Sequence, residues 1–172
     1  MYLKNVILLN RIGEKYERRL LVVEFENTIT IERPIQDVFD FLADLENIPR
    51  WNYYVLSVKK VSGETAGLGS TYHQVRKTDE QSLQITELEA PYRLAVKTLP
   101  GSNPKLEMRF ILQETGTKTL IRDQWKLETG RPGFLEKLAT GKVKSAVAEN
   151  LDKLKELLET GKVVLQDGRT AT

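Results

Sequence analysis

The hydrophobic positions near the end of the chain form one long helical stripe. Between residues 134 and 160, apolar side chains recur every three or four positions, which is typical of an amphipathic helix that buries one face. The opposite face is charged, and Glu149 and Lys153 form a favourable pair four residues apart. Gly141 lies inside this stretch and costs about 1 kcal/mol relative to alanine in a helix. We therefore predict a long helix that kinks at Gly141 or leaves the surface beneath it bare.

Alternating apolar and polar residues, the pattern of half-buried strands, fill the chain before this helix. The first alternation begins at Phe25 and ends before Pro34, a helical face follows over 36–45, and a turn leads to Trp51. Six more strands are predicted between glycine, proline and aspartate turns, at residues 55–61, 70–77, 82–88, 93–99, 106–113 and 119–128. The predicted order is strand, helix, six strands in an antiparallel meander, and long helix.

The pattern also suggests where the domain begins and ends. Residues 2–10 could form a short strand and residues 13–19 are charged with no clear stripe, so residues 1–24 are treated as an amino-terminal extension of uncertain status. Residues 25–160 are treated as one domain and residues 161–172 as a loose polar tail. An alternative for the extension is that translation starts at Val22 or Val23, since Glu17 to Arg19 could be encoded by a purine-rich ribosome-binding tract. The mass of the native protein tests this alternative.

Composition excludes several classes of function. The chain has 172 residues, no cysteine and a single histidine, His73, so thiolate metal sites, disulfides and two-histidine mechanisms are ruled out. The formal net charge is +2 and no basic stretch interleaves with aromatics, so nucleic acid is not a predicted partner. No apolar run approaches the roughly 20 residues that a membrane-spanning helix needs. We predict a cytoplasmic protein without metal or cofactor, and its oligomeric state stays open.

Several short motifs, in their order and spacing, carry a resemblance that covers residues 25–159. They are Ile31-Glu32-Arg33-Pro34 with Val38-Phe39-Asp40-Phe41-Leu42 and Asp44, Pro49-Arg50-Trp51, Gly67-Leu68-Gly69-Ser70, Gly116-Thr117-Lys118-Thr119, and the final helical residues 151–159. The chain resembles the START-like superfamily, also called SRPBCC, in its bacterial polyketide cyclase/dehydrase branch. The resemblance implies an α+β helix-grip fold, with a seven-stranded antiparallel sheet wrapped around the long carboxy-terminal helix and a deep apolar cavity between them. It leaves the chemistry open, because the superfamily includes both carriers and enzymes.

Strand parity predicts which side chains face that cavity. On the predicted strands at 82–88, 93–99 and 106–113, the alternation consistently places apolar residues on the inner face. These residues are Leu83, Ile85, Leu94, Val96, Met108 and Phe110. On the strand at 70–77 two registers are possible, and we favour the one that turns Tyr72, Gln74 and Arg76 inward and leaves His73 outside.

Four aromatic residues and Leu138 complete the predicted ligand-binding set. Trp51 and Tyr53 follow the first helix and form either an aromatic rim over a ligand or part of the core. Trp125, Phe134 and Leu138 are further lining candidates, although core packing is the favoured explanation for them.

Asp123 is predicted to lie on the apolar inner face of the last strand. A buried carboxylate is costly unless it is paired or protonated, so it would orient a ligand hydroxyl or act as a general base with a raised pKa. The competing explanation is that Asp123 pairs with Arg76 or a main-chain donor, or that a bulge moves it to the rim. Ion pairs within a fold perturb pKa values as readily as active sites do.

Three functions remain open from the sequence. The leading hypothesis is the binding or transport of a hydrophobic small molecule, such as a lipid, isoprenoid, quinone or polyketide-like compound, in the cavity. An alternative is a cyclase or dehydratase that uses Asp123, Tyr72 and Arg76, which would have to converge on one point. The third is a protein-interaction module, which an exposed apolar patch of more than several hundred Å² would indicate.

Overall fold

The computed structural model describes residues 21–62, 65–129 and 136–172, with side chains for 22–62, 65–128 and 141–172. The elements in chain order are β1 (Leu21–Ile31), α1 (Ile35–Ala43), a 3-10 helix (Leu45–Arg50), β2 (Val55–Lys60), β3 (Thr71–Arg76), β4 (Glu80–Glu89), β5 (Arg93–Thr98), β6 (Lys105–Thr115), β7 (Lys118–Thr129), α2 (Glu136–Thr160), β8 (Val163–Val164) and β9 (Thr170–Ala171). The first strand begins at Leu21 rather than at the predicted Phe25. The predicted turn before Trp51 is a 3-10 helix, whose first turn is capped by the Asp44 side chain accepting from the Glu46 N–H at 3.1 Å.

Seven antiparallel strands of the described chain form one sheet in the order β1-β7-β6-β5-β4-β3-β2. Strands β2 to β7 pair with their neighbours in sequence, and β1 closes the order by pairing with β7 along its whole length. The long helix α2 packs against this sheet, mainly against β1. The predicted α+β helix-grip fold with a seven-stranded antiparallel sheet is therefore confirmed.

The core lies between the inner face of the sheet, α1 and the second half of α2. Inward positions on the strands are buried as the alternation predicted, among them Leu94, Phe110 and Ile121. Helix α1 adds Val38, Phe39 and Leu42, and α2 adds Leu151, Leu154 and Leu157. Each buried side chain of this kind contributes about 1.5–3 kcal/mol relative to an exposed one. This packing fixes the carboxy-terminal half of α2 on the sheet.

The segment after α2 corrects the prediction of a loose tail. Strands β8 and β9 pair antiparallel as a small hairpin. Val163 and Leu165 are buried and belong to the hydrophobic core. The prediction failed because only four apolar residues, Val163, Val164, Leu165 and Ala171, stand in a polar stretch that is too short for a periodic signal.

Candidate functional site

A cavity of about 540 Å³ lies between the inner face of the sheet and the first half of α2. Its floor is apolar and comes from four strands, β4 to β7, through Leu83, Val96, Leu106, Met108, Trp125 and Leu127. Its roof comes from one stretch of α2, through Lys142, Val143, Ala146, Val147 and Asn150. The volume falls within the range of about 300–1,000 Å³ typical of small-molecule sites.

The roof is open because α2 does not pack tightly along its whole length. The helix continues through Gly141 without interruption, yet residues 141–145 are exposed, and the first buried side chain of the described helix is Val147. A side chain at Gly141 would contact nothing within 4 Å. The space beneath this part of the helix is therefore not filled by described core side chains.

An aromatic rim, formed by Trp51, Tyr53 and Tyr54, borders the cavity after the 3-10 helix. Trp51 is buried and meets the Phe110 ring edge to face, with 6.5 Å between centroids. The Tyr53 and Tyr54 rings also meet edge to face, at 6.4 Å, and the Tyr54 hydroxyl is hydrogen-bonded to Thr78 at the end of β3. Trp51 therefore belongs to the core and also lines the cavity, and its contact with a ligand stays a prediction.

The carboxy-terminal hairpin is hydrogen-bonded to the main chain of this rim and of the strand that follows it. The Arg169 guanidinium donates to the main-chain oxygens of Tyr53 and Val55, at 2.7 and 3.2 Å. Asp167 accepts from Arg169 at 2.9 Å and pairs with Lys77 at 3.0 Å, and the Lys77 ammonium lies 4.7 Å from the Tyr53 ring centroid. Burial alone would raise the pKa of Asp167, but the hydrogen bonds from Lys77 and Arg169 outweigh it and lower the pKa to about 2. Asp167 therefore stays ionised and holds both cations at neutral pH.

The charged groups near the mouth of the cavity largely neutralise each other. Arg76 donates from Nε and a terminal nitrogen to the two carboxylate oxygens of Asp79, each at 2.6 Å. Such a two-point pair is the strongest geometry an arginine and a carboxylate can form. The Arg76 guanidinium also lies 5.6 Å from the centre of the Tyr54 ring. Arg76 therefore pairs with Asp79 and not with Asp123, which removes one form of the competing explanation for Asp123.

Asp123 lies in the core rather than on the cavity wall. It is 1% exposed, its Oδ2 accepts from the Trp125 indole N–H at 2.7 Å, and its Oδ1 has no hydrogen-bond partner. Burial raises the pKa of Asp123 to about 7; the Trp125 hydrogen bond opposes the shift and the charge of Glu26 adds to it. Asp123 is linked to the cavity through its hydrogen bond from Trp125, whose side chain forms part of the floor.

The three residues of the enzymatic alternative are not brought together. Tyr72 is buried on β3 with an unpartnered hydroxyl, and burial raises its pKa. Strands β3 and β7 are separated by three strands, which places Tyr72 and Asp123 on the order of 19 Å apart along the sheet. Arg76 lines the cavity, whereas Tyr72 and Asp123 do not.

The predicted ligand-binding residues divide into two groups. Those that line the cavity are Trp51, Tyr53, Gln74, Leu83, Val96, Met108 and Trp125. Those that lie in the core without lining it are Tyr72, Ile85, Leu94, Phe110 and Asp123. Phe134 and the side chain of Leu138 lie outside the described residues. His73 faces outward as predicted, with Nε2 at 3.2 Å from a carboxylate oxygen of Glu80.

Asn150 is a lining residue that the sequence reasoning missed. It stands between Val147 and Leu151 within the apolar stripe of α2, and its Oδ1 accepts from Gln166 at 3.4 Å. Its position three residues after Val147 was the available signal, since that spacing places both on one helix face. A buried amide in an apolar stripe marks a polar point on the cavity roof.

Two further features of the described residues bear on the kind of site. They contain no group of three or more histidine, aspartate or glutamate side chains arranged to hold a metal ion. Across the same part of the chain, no helix combines the length and hydropathy needed to cross a membrane.

The fold and the cavity between its sheet and α2 define the chain as a helix-grip protein of the START-like class. Residues 22–159 match the family model described as polyketide cyclase/dehydrase and lipid transport, and the chain belongs to this family. Family membership supports a ligand-binding or cyclase role. No curated protein sequence matches the chain.

Solved structures share this fold at low sequence identity. A START superfamily protein from Mycobacterium smegmatis is 18% identical, with a TM-score of 0.65 over 79% of this chain and 99% of that one. A protein from Thermus thermophilus is 20% identical, with a TM-score of 0.65 over 77% of this chain and 94% of that one. The di-domain aromatase/cyclase BexL, from the BE-7585A biosynthetic pathway, is 17% identical, with a TM-score of 0.64 over 79% of this chain and 46% of that one. At these identities the likeness concerns the fold alone.

Proposed function

We propose that the protein binds a hydrophobic small molecule between its sheet and the first half of α2. The observation that carries the proposal is the cavity of about 540 Å³ with an apolar floor and a helical roof. An apolar ligand of this size would remove several lining side chains from water, at about 25 cal/mol per Å² of apolar surface. Lipid, isoprenoid, quinone and polyketide-like molecules all have the required character.

The surroundings of the cavity support a preformed site. The aromatic rim is tied to the carboxy-terminal hairpin through Arg169 and to the end of β3 through Thr78. A rim held by its own contacts loses less conformational freedom on binding, which favours affinity.

The enzymatic alternative lacks a comparable observation. A cyclase or dehydratase needs a group that moves a proton inside the cavity. Asp123 and Tyr72 do not line the cavity, and Arg76 is paired with Asp79. The interaction alternative is also less well supported, because exposed large apolar residues such as Leu56, Tyr92 and Val164 lie on separate elements, and single exposed apolar residues are normal.

Filling the cavity from its roof tests the proposal. The probe is pyrene, whose fluorescence reports transfer from water to an apolar site. Ala146→Trp places an indole on a lining position of α2, and Glu149→Trp adds the same side chain to the exposed face of the same helix. We expect saturable pyrene binding by the native chain and by Glu149→Trp, and binding at least tenfold weaker for Ala146→Trp. Absence of saturable binding, or equal affinity in the two variants, contradicts the proposal.

A further inference from the structure

Gln74 is a buried polar side chain whose amide has no hydrogen-bond partner among the described residues. It lies on the inner face of β3, is 4% exposed and lines the cavity. A carboxamide can donate two hydrogen bonds and accept two. Within the described residues, the side chain of Gln74 makes no hydrogen bond. Its polar atoms are not among the fully buried unpartnered ones, so they can be reached from the cavity, and a ligand that covered them without a hydrogen bond would lose about 1–3 kcal/mol.

The residues beside Gln74 do not supply that partner in this structure. On β2 its neighbour across the strand is Val58, which is apolar. On β4 its neighbour is Gln81, whose amide nitrogen donates to the main-chain oxygen of Pro104 at 3.2 Å, and whose Oε1 is itself buried without a partner. Gln74 lines the cavity and makes no hydrogen bond to either neighbour, so water or a ligand oxygen in the cavity can pair with its amide.

The charges around Gln74 favour a neutral partner. Arg76, two residues further on the same strand face, is neutralised by its two-point pair with Asp79. Lys142 also lines the cavity, but it is exposed, so water screens its charge. A carboxylate or phosphate placed beside Gln74 would lose its hydration without gaining an unpaired cation.

We propose that Gln74 anchors a keto or hydroxyl oxygen of a neutral, otherwise apolar ligand. This inference rests on the proposed function of the cavity and narrows its ligand class. Oxygenated polycyclic, isoprenoid and quinone-like molecules fit the class, and free fatty acids and phosphorylated lipids do not. A ligand carrying such an oxygen replaces the water at Gln74, whereas a pure hydrocarbon leaves the amide unpaired.

A matched set of probes and variants tests the assignment. The probes are pyrene, 1-pyrenemethanol and 1-pyrenecarboxylate, which share one ring system and differ in the polar group. The variants are Gln74→Met, which keeps the length of the side chain and removes its hydrogen bonds, and Gln113→Met, the same change at an exposed position on β6. The readout is the ratio of the pyrene Kd to the 1-pyrenemethanol Kd, measured by fluorescence titration.

We expect Gln74→Met to lower this ratio about fivefold, the effect of one lost hydrogen bond, and Gln113→Met to leave it unchanged. We also expect 1-pyrenecarboxylate to bind the native chain at least tenfold more weakly than 1-pyrenemethanol. An unchanged ratio in Gln74→Met, or tighter binding of 1-pyrenecarboxylate than of 1-pyrenemethanol, overturns the assignment. The proposed function still stands in that case, provided that pyrene binds. If pyrene itself does not bind, the proposed function falls and the assignment falls with it. Retained pyrene affinity in Gln74→Met shows that the variant is folded.

Discussion

The two halves of helix α2 face the same sheet but are packed in opposite ways. In the second half, Leu151, Leu154 and Leu157 are buried against the sheet and α1. In the first half, residues 141–145 are exposed, and the side chains that point inward border a cavity. One amphipathic helix therefore builds a filled core at one end and a hollow at the other.

The hydrogen bonds that join α2 to β1 and the residues after it are also shorter in the second half of the helix than in the first. Near the carboxy terminus of α2, a Glu159 carboxylate oxygen accepts from the Glu32 main-chain N–H, and the Leu158 main-chain oxygen accepts from Arg33, both at 2.7 Å. In the first half, the corresponding bond runs from the Asn27 side chain to the Lys144 main-chain oxygen at 3.3 Å. We infer that the second half of α2 contributes more to the free energy of unfolding than the first half, which borders the proposed binding cavity.

The largest expected effect is on the packed half. Leu154 is 0% exposed, so Leu154→Ala leaves a cavity in the core and should lower the free energy of unfolding by about 3 kcal/mol. Val143 is 36% exposed on the cavity half, and Val143→Ala should cost less than about 1 kcal/mol. Urea denaturation of both variants measures the contrast. Equal costs for the two substitutions would remove the distinction between the halves.

The second prediction concerns Asp123, which supports the cavity floor through Trp125. Its pKa is raised to about 7 in the folded chain, from 3.8 in the unfolded chain, so the unfolded state releases the proton first as pH rises. The native chain should lose stability between about pH 4 and pH 7 through this group. Asp123→Asn stays neutral and keeps an oxygen for the Trp125 indole, at the cost of an amide group with no evident partner.

We expect Asp123→Asn to be more stable than the native chain by about 2 kcal/mol at pH 8, because a pKa displacement of this size is worth a few kcal/mol before the amide cost. At pH 5 the two proteins should differ little, because the native chain has then lost only about 1–2 kcal/mol through Asp123 and the amide cost of the variant offsets this loss. Urea midpoints at both pH values give the comparison. Asp152→Asn, at an exposed position on α2, is the control and should show no such pH dependence. A difference that does not grow from pH 5 to pH 8 would show that Asp123 is not held neutral.

The packed half was predictable from sequence, and the hollow half was predictable only in outline. Period-two alternation located the inner faces of the strands, and a spacing of three and four located the leucines of α2, because each pattern reflects burial on one face. The alternation also placed Asp123 inside. It could not tell core from cavity wall, since Leu94 and Val96 have the same parity and only Val96 lines the cavity.

The remaining misses concern which side chains meet outside the regular alternation. Arg76 meets Asp79 across a tight turn rather than Asp123 on a distant strand, and side-chain types alone do not show which partner is nearer. The bracing of Tyr53 by Arg169 joins positions 116 residues apart, with no periodic signal in either segment. Alternation reports burial on a face, whereas these contacts depend on how the loops fold back on it.

The third prediction tests whether the hairpin supports the hollow half. Arg169→Ala removes the two bonds to the main chain of the rim and one partner of Asp167, and it should cost about 1 kcal/mol of stability. Because the rim then moves more freely, pyrene affinity should fall a few-fold. Arg93→Ala breaks an exposed pair with Glu89 away from the cavity and is the control for losing a surface charge. Unchanged pyrene affinity in Arg169→Ala would limit the hairpin to a stabilising role.

The smallest expected effect distinguishes two explanations of Gly141. If the glycine only weakens the helix, Gly141→Ala should raise the free energy of unfolding by about 0.5–1 kcal/mol and leave pyrene binding unchanged, since the added methyl group meets nothing within 4 Å. If the first half of α2 must bend at Gly141 to admit a ligand, the same substitution should slow pyrene association while still stabilising the free protein. Stopped-flow fluorescence with urea denaturation separates these outcomes. Ala148→Gly, the reverse change within the same helix, should destabilise by a similar amount without altering the association rate.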